Sequence, residues 1–352
     1  MVFADRDLPD TEPDMSRVAA IDCGTNSIRL LVADVRGGVL RDVHREMRVV
    51  RLGEGVDATG LLAPQAVERT RVALQDYAAV LRERGAERVR MVATSATRDA
   101  ANRDEFFAMV RGVLGVDAEV ITGAEEARLS FAGAVGELGA DGPFVVVDLG
   151  GGSTEVVLGD GSGVFAAFSA DIGCVRLTER CLHSDPPTHT EVAEAESVTR
   201  GFLAEAFAAV PVRQGTTWVG VAGTMTTIAA LAAGLADYDV DRIHLSRVPL
   251  SRVRGVCQDL VGMRRAQRAA LGPMHPGRAD VIGGGAIITR ILAEELADRA
   301  GITELVVSEH DILDGIALSL GVNESLAAAA RPGPQLDDRF QALSGRRRAV
   351  SV

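Results

Sequence analysis

The stretch AIDCGTNSIRLLVAD, residues 20–34, organises this chain, because its pattern recurs as VVVDLGGGSTEVVL at residues 145–158. Each copy reads as an apolar strand that ends in a carboxylate, then a turn rich in Gly and hydroxyl residues, then a second alternating strand. The two carboxylates are Asp22 and Asp148, which lie 126 positions apart (148 minus 22). The repeat predicts two β-hairpins of the same design.

The chemistry of these two turns suits phosphate. Backbone N–H groups in a turn of Gly, Thr, Asn and Ser can approach an anion, and an Asp at the strand end lies where a cation could bridge to that anion. One copy alone would fit an ordinary hairpin turn equally well. Two copies favour a pair of facing loops that hold phosphate between them.

Length and composition restrict the possible classes of protein. The 352 residues, 47% apolar and 24% charged, suffice for two soluble domains. A net charge of −12 argues against bulk binding of nucleic acid or of an anionic membrane. The acidic N-terminus does not resemble a signal or transit peptide, and no apolar run reaches the length of a membrane span. The four cysteines form no C-x-x-C pair, so we expect a cytoplasmic protein without disulfides or structural zinc.

The pair of motifs resembles the two phosphate loops of the actin, hexokinase and heat-shock-chaperone ATPase fold. Within that fold it resembles the exopolyphosphatase and guanosine pentaphosphate phosphohydrolase (Ppx/GppA) family, in its short two-domain form, over roughly residues 18–320. The resemblance implies an α/β protein with two actin-like (ribonuclease H-like) domains, whose mixed β-sheets are flanked by helices and face a common cleft. It also implies a possible homodimer.

The domain boundaries follow from composition together with this resemblance. A stretch of Gly, Ala and Asp at residues 139–143 marks the expected border between the lobes. Longer family members carry additional helical domains, so the two-lobe core alone suggests a preference for shorter polyphosphate. The expected parts are a disordered leader (1–16), domain I (17–138, completed by a helix at about 309–328), domain II (139–308) and a disordered tail (331–352).

Each hairpin turn supplies candidate phosphate-binding residues, and each strand end supplies a candidate metal ligand. Asp22 and Asp148 would hold Mg²⁺ or Mn²⁺, directly or through water. The phosphate-binding candidates are Gly24, Thr25, Asn26 and Ser27 in the first turn, and Gly151, Gly152, Ser153 and Thr154 in the second.

Arg98 is the candidate cation for the transferred phosphate. It follows T-S-A-T, and we expect it in the first turn of a single helix over residues 95–112. There the helix dipole disfavours a cation by about 0.3–1 kcal/mol, so a bound anion would improve its environment. Position alone slightly favours a solvated arginine neutralised by Asp99. The family pattern implies phosphate binding.

The candidate catalytic acids are Glu126 and Glu155. Thr122 and Glu125 fit a capping box, which explains Glu125 but leaves Glu126 as one more acid in a first helical turn. In the family's E-E-A-R pattern the second Glu is the catalytic base. Glu155 alternates with apolar neighbours on its strand, which usually means a solvated face. Its closeness to the second turn suggests that it positions the attacking water.

Three further residues are second-tier substrate candidates. Arg176 lies in a G-x-V-R-L segment that the family places beside its cleft. Gly223 and Thr224 lie in a turn that, in the wider fold, meets the far end of the nucleotide or phosphate chain, although Gly there also suits an ordinary strand-to-helix turn. Near the end of the chain many family members have R-E-G, where this chain has Leu313, Asp314 and Gly315.

The resemblance implies metal-dependent hydrolysis of the terminal phosphoanhydride of inorganic polyphosphate, which releases orthophosphate. Such a reaction depends on positioning and charge neutralisation more than on covalent chemistry. The same residues could instead remove the 5′-terminal phosphate of guanosine pentaphosphate. Two other classes remain open, a catalytically weak regulator that binds polyphosphate or an alarmone, and a nucleotide-driven ATPase of the chaperone or actin type.

Overall fold

The first of two mixed β-sheets is built from the N-terminal part of the chain. The computed structural model describes residues 16–139 and 142–321. The strands of this sheet are β1 Ser16–Cys23, β2 Ser27–Arg36, β3 Val39–Val49, β4 Arg88–Ala93 and β5 Ala118–Val120. Their order is β3-β2-β1-β4-β5, with β1, β2 and β3 antiparallel and with β4 and β5 parallel to β1.

The second sheet repeats this topology and adds one strand at its edge. Its strands are β6 Phe144–Leu149, β7 Thr154–Asp160, β8 Gly163–Ala170, β9 Thr217–Val221, β10 Arg247–Pro249 and β11 Glu304–Val307. The order β10-β11-β9-β6-β7-β8 contains the antiparallel meander β6-β7-β8 and the parallel neighbours β9 and β11. The duplicated hairpin of the sequence is thus part of a duplicated sheet.

Helices cover both sheets. Local signals fix the ends of several of them: α2 has Pro64 in its first turn and ends at Gly85, whose φ of 68° is the left-handed value that favours glycine. None of the helices in the described ranges combines the length and apolar character that crossing a membrane requires. The helices are α1 Val56–Thr59, α2 Pro64–Arg84, α3 Ser95–Asp99, α4 Arg103–Leu114, α5 Gly123–Val135, α6 Cys174–Cys181, α7 His189–Ala209, α8 Ala222–Ala232, α9 Val240–Ile243, α10 Leu250–Gly262, α11 Arg265–Ala269, α12 Ile282–Ala300 and α13 Ile312–Gly321.

The last helix returns to the first sheet. Ile312 and Ile316 of α13 share a buried cluster with Val18 of β1 and Leu31 of β2. We therefore keep, as a proposal, a first lobe of residues 17–138 completed by this helix and a second lobe of residues 139–308. The expected helix at about 309–328 begins at Ile312, and its end lies outside the described residues. So do the expected tail and the expected leader, except Ser16, which already belongs to β1.

Helices α5 and α13 cross backbone to backbone between the two sheets. A Cβ on Gly133 would lie 1.9 Å from the Asp311 carbonyl oxygen, and one on Gly315 would lie 2.0 Å from the Leu129 carbonyl oxygen. Only glycine permits such an approach. The other face of α5 packs on the second sheet through Ala127 and Phe131. Helix α5, which carries Glu126, is therefore held by both lobes.

The single helix expected over residues 95–112 is instead two helices, α3 and α4. Asn102 lies at the break, where its side-chain amide donates to the Leu62 carbonyl at 3.0 Å and accepts from the Leu62 N–H at 2.8 Å. Arg98 consequently lies in the last turn of α3. The helix begins at Ser95 as predicted, with Arg98 as its fourth residue; the predicted length is wrong, and a helix of five residues has too small a dipole for the argument against a cation there.

Candidate active site

The two hairpins form the same turn. In the first, the Gly24 N–H donates to the Ser27 carbonyl at 3.0 Å, and in the second the Gly150 N–H donates to the Ser153 carbonyl at 3.1 Å. Asp22 and Asp148 occupy the same position, near the end of the strand that leads into each turn. The prediction of two hairpins of one design is confirmed at the level of hydrogen bonds.

The two turns face each other in close contact. A Cβ on Gly152 would lie 2.6 Å from the Ser95 hydroxyl and 2.7 Å from the Thr25 hydroxyl, and these hydroxyls are themselves 2.8 Å apart. A Cβ on Gly151 would lie 2.9 Å from Cβ of Thr25. The second turn thus presents backbone, without side chains, to the first turn, as phosphate binding by N–H groups requires.

A cavity of about 90 Å³ lies between the turns. Most of the sequence-predicted residues border it, and they come from both lobes. Among the remainder, the Thr154 hydroxyl donates to the Ile172 carbonyl at 2.6 Å and is thereby occupied. The bordering candidates are Asp22, Gly24, Thr25, Asn26, Ser27, Glu126, Asp148, Gly151, Ser153, Gly223 and Thr224.

Asp22 is the residue best prepared to bind a cation. The Arg29 guanidinium donates twice to its Oδ2, from Nε at 3.0 Å and from Nη2 at 2.7 Å. Its Oδ1 is buried, and no donor within the described ranges reaches it. A buried carboxylate oxygen without a partner is costly, so this atom fits a direct or water-mediated ligand of Mg²⁺. Burial raises the pKa of Asp22.

Asp148 lies at the equivalent position of the second lobe. Its Oδ2 accepts a hydrogen bond from the Ser130 hydroxyl of α5. Burial, followed by the negative charges of Asp311 and Asp22, raises the pKa of Asp148 to about 7. A divalent cation between Asp22 and Asp148 would offset this repulsion, so the two carboxylates fit the expected metal.

Glu126 lies in the first turn of α5 and is 7% exposed. Its Oε2 accepts from Arg98 Nη1 at 3.1 Å, and the same nitrogen donates to the Ile121 carbonyl at 3.0 Å. Burial raises the pKa of Glu126 to about 8, although Arg98 counteracts the shift. Arg98 and Glu126 therefore work as a pair, and ionising Glu126 requires nearby positive charge.

Glu155 is not on a solvated face, contrary to the sequence expectation. It is 1% exposed, because β7 lies between β6 and β8 and both of its faces are buried. Val156 packs into one apolar cluster on one face, and Val157 packs into another on the opposite face. Its Oε1 accepts from the Ser169 hydroxyl at 2.7 Å. Burial and the negative charges of Glu126 and Asp148 raise its pKa well above the ordinary value. A buried acid among other acids is typical of a functional site.

Sequence reasoning missed Arg29, which bonds to Asp22 and also to Asp311. A local signal could have found it. Arg29 pairs with Asp22 across the first hairpin as Glu155 pairs with Asp148 across the second. Applying the repeat offset to Glu155 leads directly to Arg29. The sequence gives no comparable signal for Asp311, which lies far along the chain and outside the repeated motif.

Arg278 was not among the candidate site residues named from the sequence, and it borders the same cavity. Its guanidinium lies against Gly223, where a Cβ would come within 2.2 Å of the guanidinium carbon. The preceding residue, Ala222, has a φ of 69°, so the strained backbone of this turn is at Ala222. The glycine at position 223 serves the close approach of Arg278.

Arg176 is held by acidic side chains of the first lobe. It bonds to Asp99 and lies 3.5 Å from Asp57, which also pairs with Arg180 at 2.5 and 2.6 Å. One helical turn of α6 thus forms ion pairs with α1 and α3. Contact between Arg176 and substrate stays a prediction.

Comparison with known proteins agrees with this geometry. The model of the Ppx/GppA phosphatase family matches residues 31–320. "Exopolyphosphatase 2" of Mycobacterium tuberculosis (strain H37Rv) is 66% identical over 316 residues, which cover 87% of this chain and 99% of that protein. The solved structure of an exopolyphosphatase-like protein is 44% identical, with a TM-score of 0.85, over 89% of this chain and 99% of that one.

A third relative is less similar in sequence. The Aquifex aeolicus member of the Ppx/GppA family has a TM-score of 0.72 and 30% identity, over 91% of this chain and 100% of that one. The predicted fold, two actin-like α/β domains, is confirmed. The chain belongs to the Ppx/GppA phosphatase family.

Proposed function

We propose that this protein is an exopolyphosphatase, which hydrolyses the terminal phosphoanhydride of inorganic polyphosphate with the help of Mg²⁺ or Mn²⁺. One observation carries the proposal: two turns with the same hydrogen bond face each other across a small cavity bordered by the buried carboxylates of Asp22, Asp148 and Glu126, and Arg98 donates a hydrogen bond to Glu126. The near full-length similarity to a protein named exopolyphosphatase 2 supports the same activity.

The residues divide the chemical work among them. The N–H groups of both turns would hold the terminal phosphate, and Arg98 would neutralise the charge that develops on the transferred group. Glu126 would accept a proton from the attacking water, which Glu155 would orient. A divalent cation at Asp22 and Asp148 would supply charge neutralisation at the phosphate oxygens.

A neighbouring cavity favours guanosine pentaphosphate as a second candidate substrate. This cavity, of about 420 Å³, shares Arg29, Gly223 and Arg278 with the phosphate site. Its size is within the range of small-molecule sites. Its walls include the apolar or aromatic side chains Met47, Tyr238, Met274 and Leu313, which suit a nucleoside better than a polyanion.

The deciding experiment measures phosphate release by the purified protein with Mg²⁺ from short polyphosphate, long polyphosphate, guanosine pentaphosphate and ATP in parallel. We expect rapid release from polyphosphate, abolished in Glu126→Gln. If all four substrates stay intact while the protein is folded, the proposed activity is wrong. Binding without hydrolysis would instead identify a polyphosphate- or alarmone-binding regulator.

A variant of the larger cavity separates the two candidate substrates. Met47→Ala removes an apolar wall that the phosphate site does not use. Under the nucleoside hypothesis it raises KM for guanosine pentaphosphate and leaves polyphosphate hydrolysis unchanged. Equal effects on both substrates would refute a separate nucleoside subsite.

Three further features complete the proposal. We propose a preference for shorter polyphosphate, from the family resemblance, a cytoplasmic location, from the cysteine pattern, and assembly as a homodimer, again from the family resemblance. The ratio of kcat/KM for short and long polymers tests the first. Light scattering on the purified protein tests the third, and fluorescence microscopy of the tagged chain in its own cells tests the second.

A further inference from the structure

A cluster of three side chains lies where the chain passes between the lobes. Glu137 follows α5 in the crossover from the first sheet to the second, and His310 lies in the return crossover from β11 to α13. His244, at the end of α9, lies between them. Its Nε2 is 3.0 Å from Glu137 Oε2, and its ring centroid is 4.6 Å from that of His310.

The hydrogen bonds of His244 fix its protonation pattern. The Glu309 N–H points at His244 Nδ1 at 3.2 Å, so Nδ1 is the acceptor. The proton of the neutral ring is then on Nε2, which donates to Glu137. This hydrogen bond lowers the pKa of Glu137. His244 therefore connects the two crossovers through both of its ring nitrogens.

The same three side chains have the composition of a metal site, and their potential ligand atoms lie within 4.8 Å of one another. A metal on Nε2 of His244 would require the ring proton on Nδ1, because metal-bound histidines donate their other N–H. That proton would face the Glu309 N–H, a donor. The hydrogen bonds therefore favour a direct bond between His244 and Glu137 over a metal ion held by the three side chains.

The link continues from Glu309 to the active site. Two residues after Glu309, the buried Asp311 accepts from the Arg29 guanidinium. Arg29 in turn holds Oδ2 of Asp22, which leaves Oδ1 of Asp22 for a cation. The position of the Glu309 amide thus affects a metal-binding carboxylate through a short path of direct contacts.

We propose that His244 is a positioning residue of the active site. By holding the Glu309 amide it fixes the segment 308–311, and with it the orientation of Asp311, Arg29 and the cation ligand Asp22. This inference rests on the metal site of the proposed function, but it does not require that polyphosphate be the substrate.

Two substitutions separate the two hydrogen bonds of His244. In His244→Asn the side-chain oxygen stands in for Nδ1 and keeps the bond to the Glu309 amide. In His244→Gln the side-chain nitrogen stands in for Nε2 and keeps the bond to Glu137. A purely structural role would make the two variants equally harmful, whereas the proposal assigns the effect to the bond with Glu309.

Two measurements test the proposal without relying on catalysis. Electron paramagnetic resonance of free Mn²⁺ gives the Mn²⁺ affinity, and hydrogen exchange gives the protection of the Glu309 amide. We expect His244→Gln to weaken Mn²⁺ binding about fivefold, the effect of one hydrogen bond, and to expose the amide. His244→Asn should match the wild type in both measurements.

Three outcomes would overturn the proposal: equal Mn²⁺ affinity in both variants, an unchanged Glu309 amide in His244→Gln, or stoichiometric Zn²⁺ binding by the wild type that both variants lose. The last would identify the cluster as a metal site. A protein that binds Mn²⁺ but hydrolyses no substrate would refute the proposed function while the expected difference between the variants still held.

Discussion

Replacing Glu126 by Gln should inactivate the protein and at the same time stabilise its metal-free form. The carboxyl group is buried beside Asp148 and Glu155, and its pKa is raised to about 8. Gln has the same shape, carries no charge and still accepts the hydrogen bond from Arg98. The substitution thus removes the proton acceptor and the electrostatic repulsion together.

The sign and size of the effect on stability follow from the two pKa values of this group. The folded protein keeps the Glu126 proton up to about pH 8, while the unfolded chain releases it near the ordinary value of 4.5. Between these values the folded state binds more protons, so the free energy of unfolding falls as pH rises, by up to about 1.4 kcal/mol per pH unit. From pH 5.5 to 7.5, Glu126 alone accounts for a loss of at most about 3 kcal/mol.

The assay is guanidinium unfolding of the wild type and Glu126→Gln in EDTA at pH 5.5, 6.5 and 7.5. The expected difference between the two proteins in the change of unfolding free energy over this range is about 3 kcal/mol at most. We expect the wild type to lose stability over this range more steeply than the variant. Glu125→Gln is the matched control, because Glu125 is a neighbour on α5 that pairs with Arg90 outside the cavity. If the free energy of unfolding changed equally with pH in the wild type and in Glu126→Gln, the electrostatic reasoning would be refuted. Hydrolysis that falls less than tenfold would refute the role of general base, whose removal costs about 10²–10⁴-fold.

Three other substitutions test the remaining parts of the site. Arg98→Ala should lower kcat about 10²–10³-fold, the scale of lost transition-state stabilisation, whereas the exposed control Arg111→Ala should not change phosphate release. Gly152→Ala should lower kcat/KM about tenfold, because its Cβ meets the Ser95 hydroxyl at 2.6 Å, and adding Ser95→Ala should recover part of the loss; no recovery would refute the steric reason. Asp22→Asn should weaken Mn²⁺ binding about 10–100-fold, and unchanged affinity by paramagnetic resonance would remove Asp22 from the metal site.

Local patterns in the sequence predicted the features that local physics determines. The two turns depend on residues a few positions apart, and the Thr122 hydroxyl caps α5 as expected, accepting from the Glu125 N–H at 3.2 Å. Half of the expected capping box is absent, because the Glu125 carboxylate bonds to Arg90 instead. The Glu125 carboxylate thus bonds to an arginine of β4 rather than to the backbone N–H of Thr122.

Features that depend on distant contacts could not be predicted in this way. The break between α3 and α4 follows from the two hydrogen bonds of Asn102 with Leu62. The burial of Glu155 depends on what covers β7 on each side, which alternation along one strand cannot reveal. The link from Arg29 to Asp311 joins residues 282 positions apart. Each needs the assembled fold.

The pairing of Asp22 with Arg29, and of Asp148 with Glu155, breaks the equivalence of the two halves at one register position. Identical partners would have offered the substrate two interchangeable faces. Opposite charges make the two hairpins unequal: the second has a buried carboxyl group at this position, whereas the first has a guanidinium that bonds to Asp22 and Asp311. A duplicated architecture thereby acquires two chemically different sides.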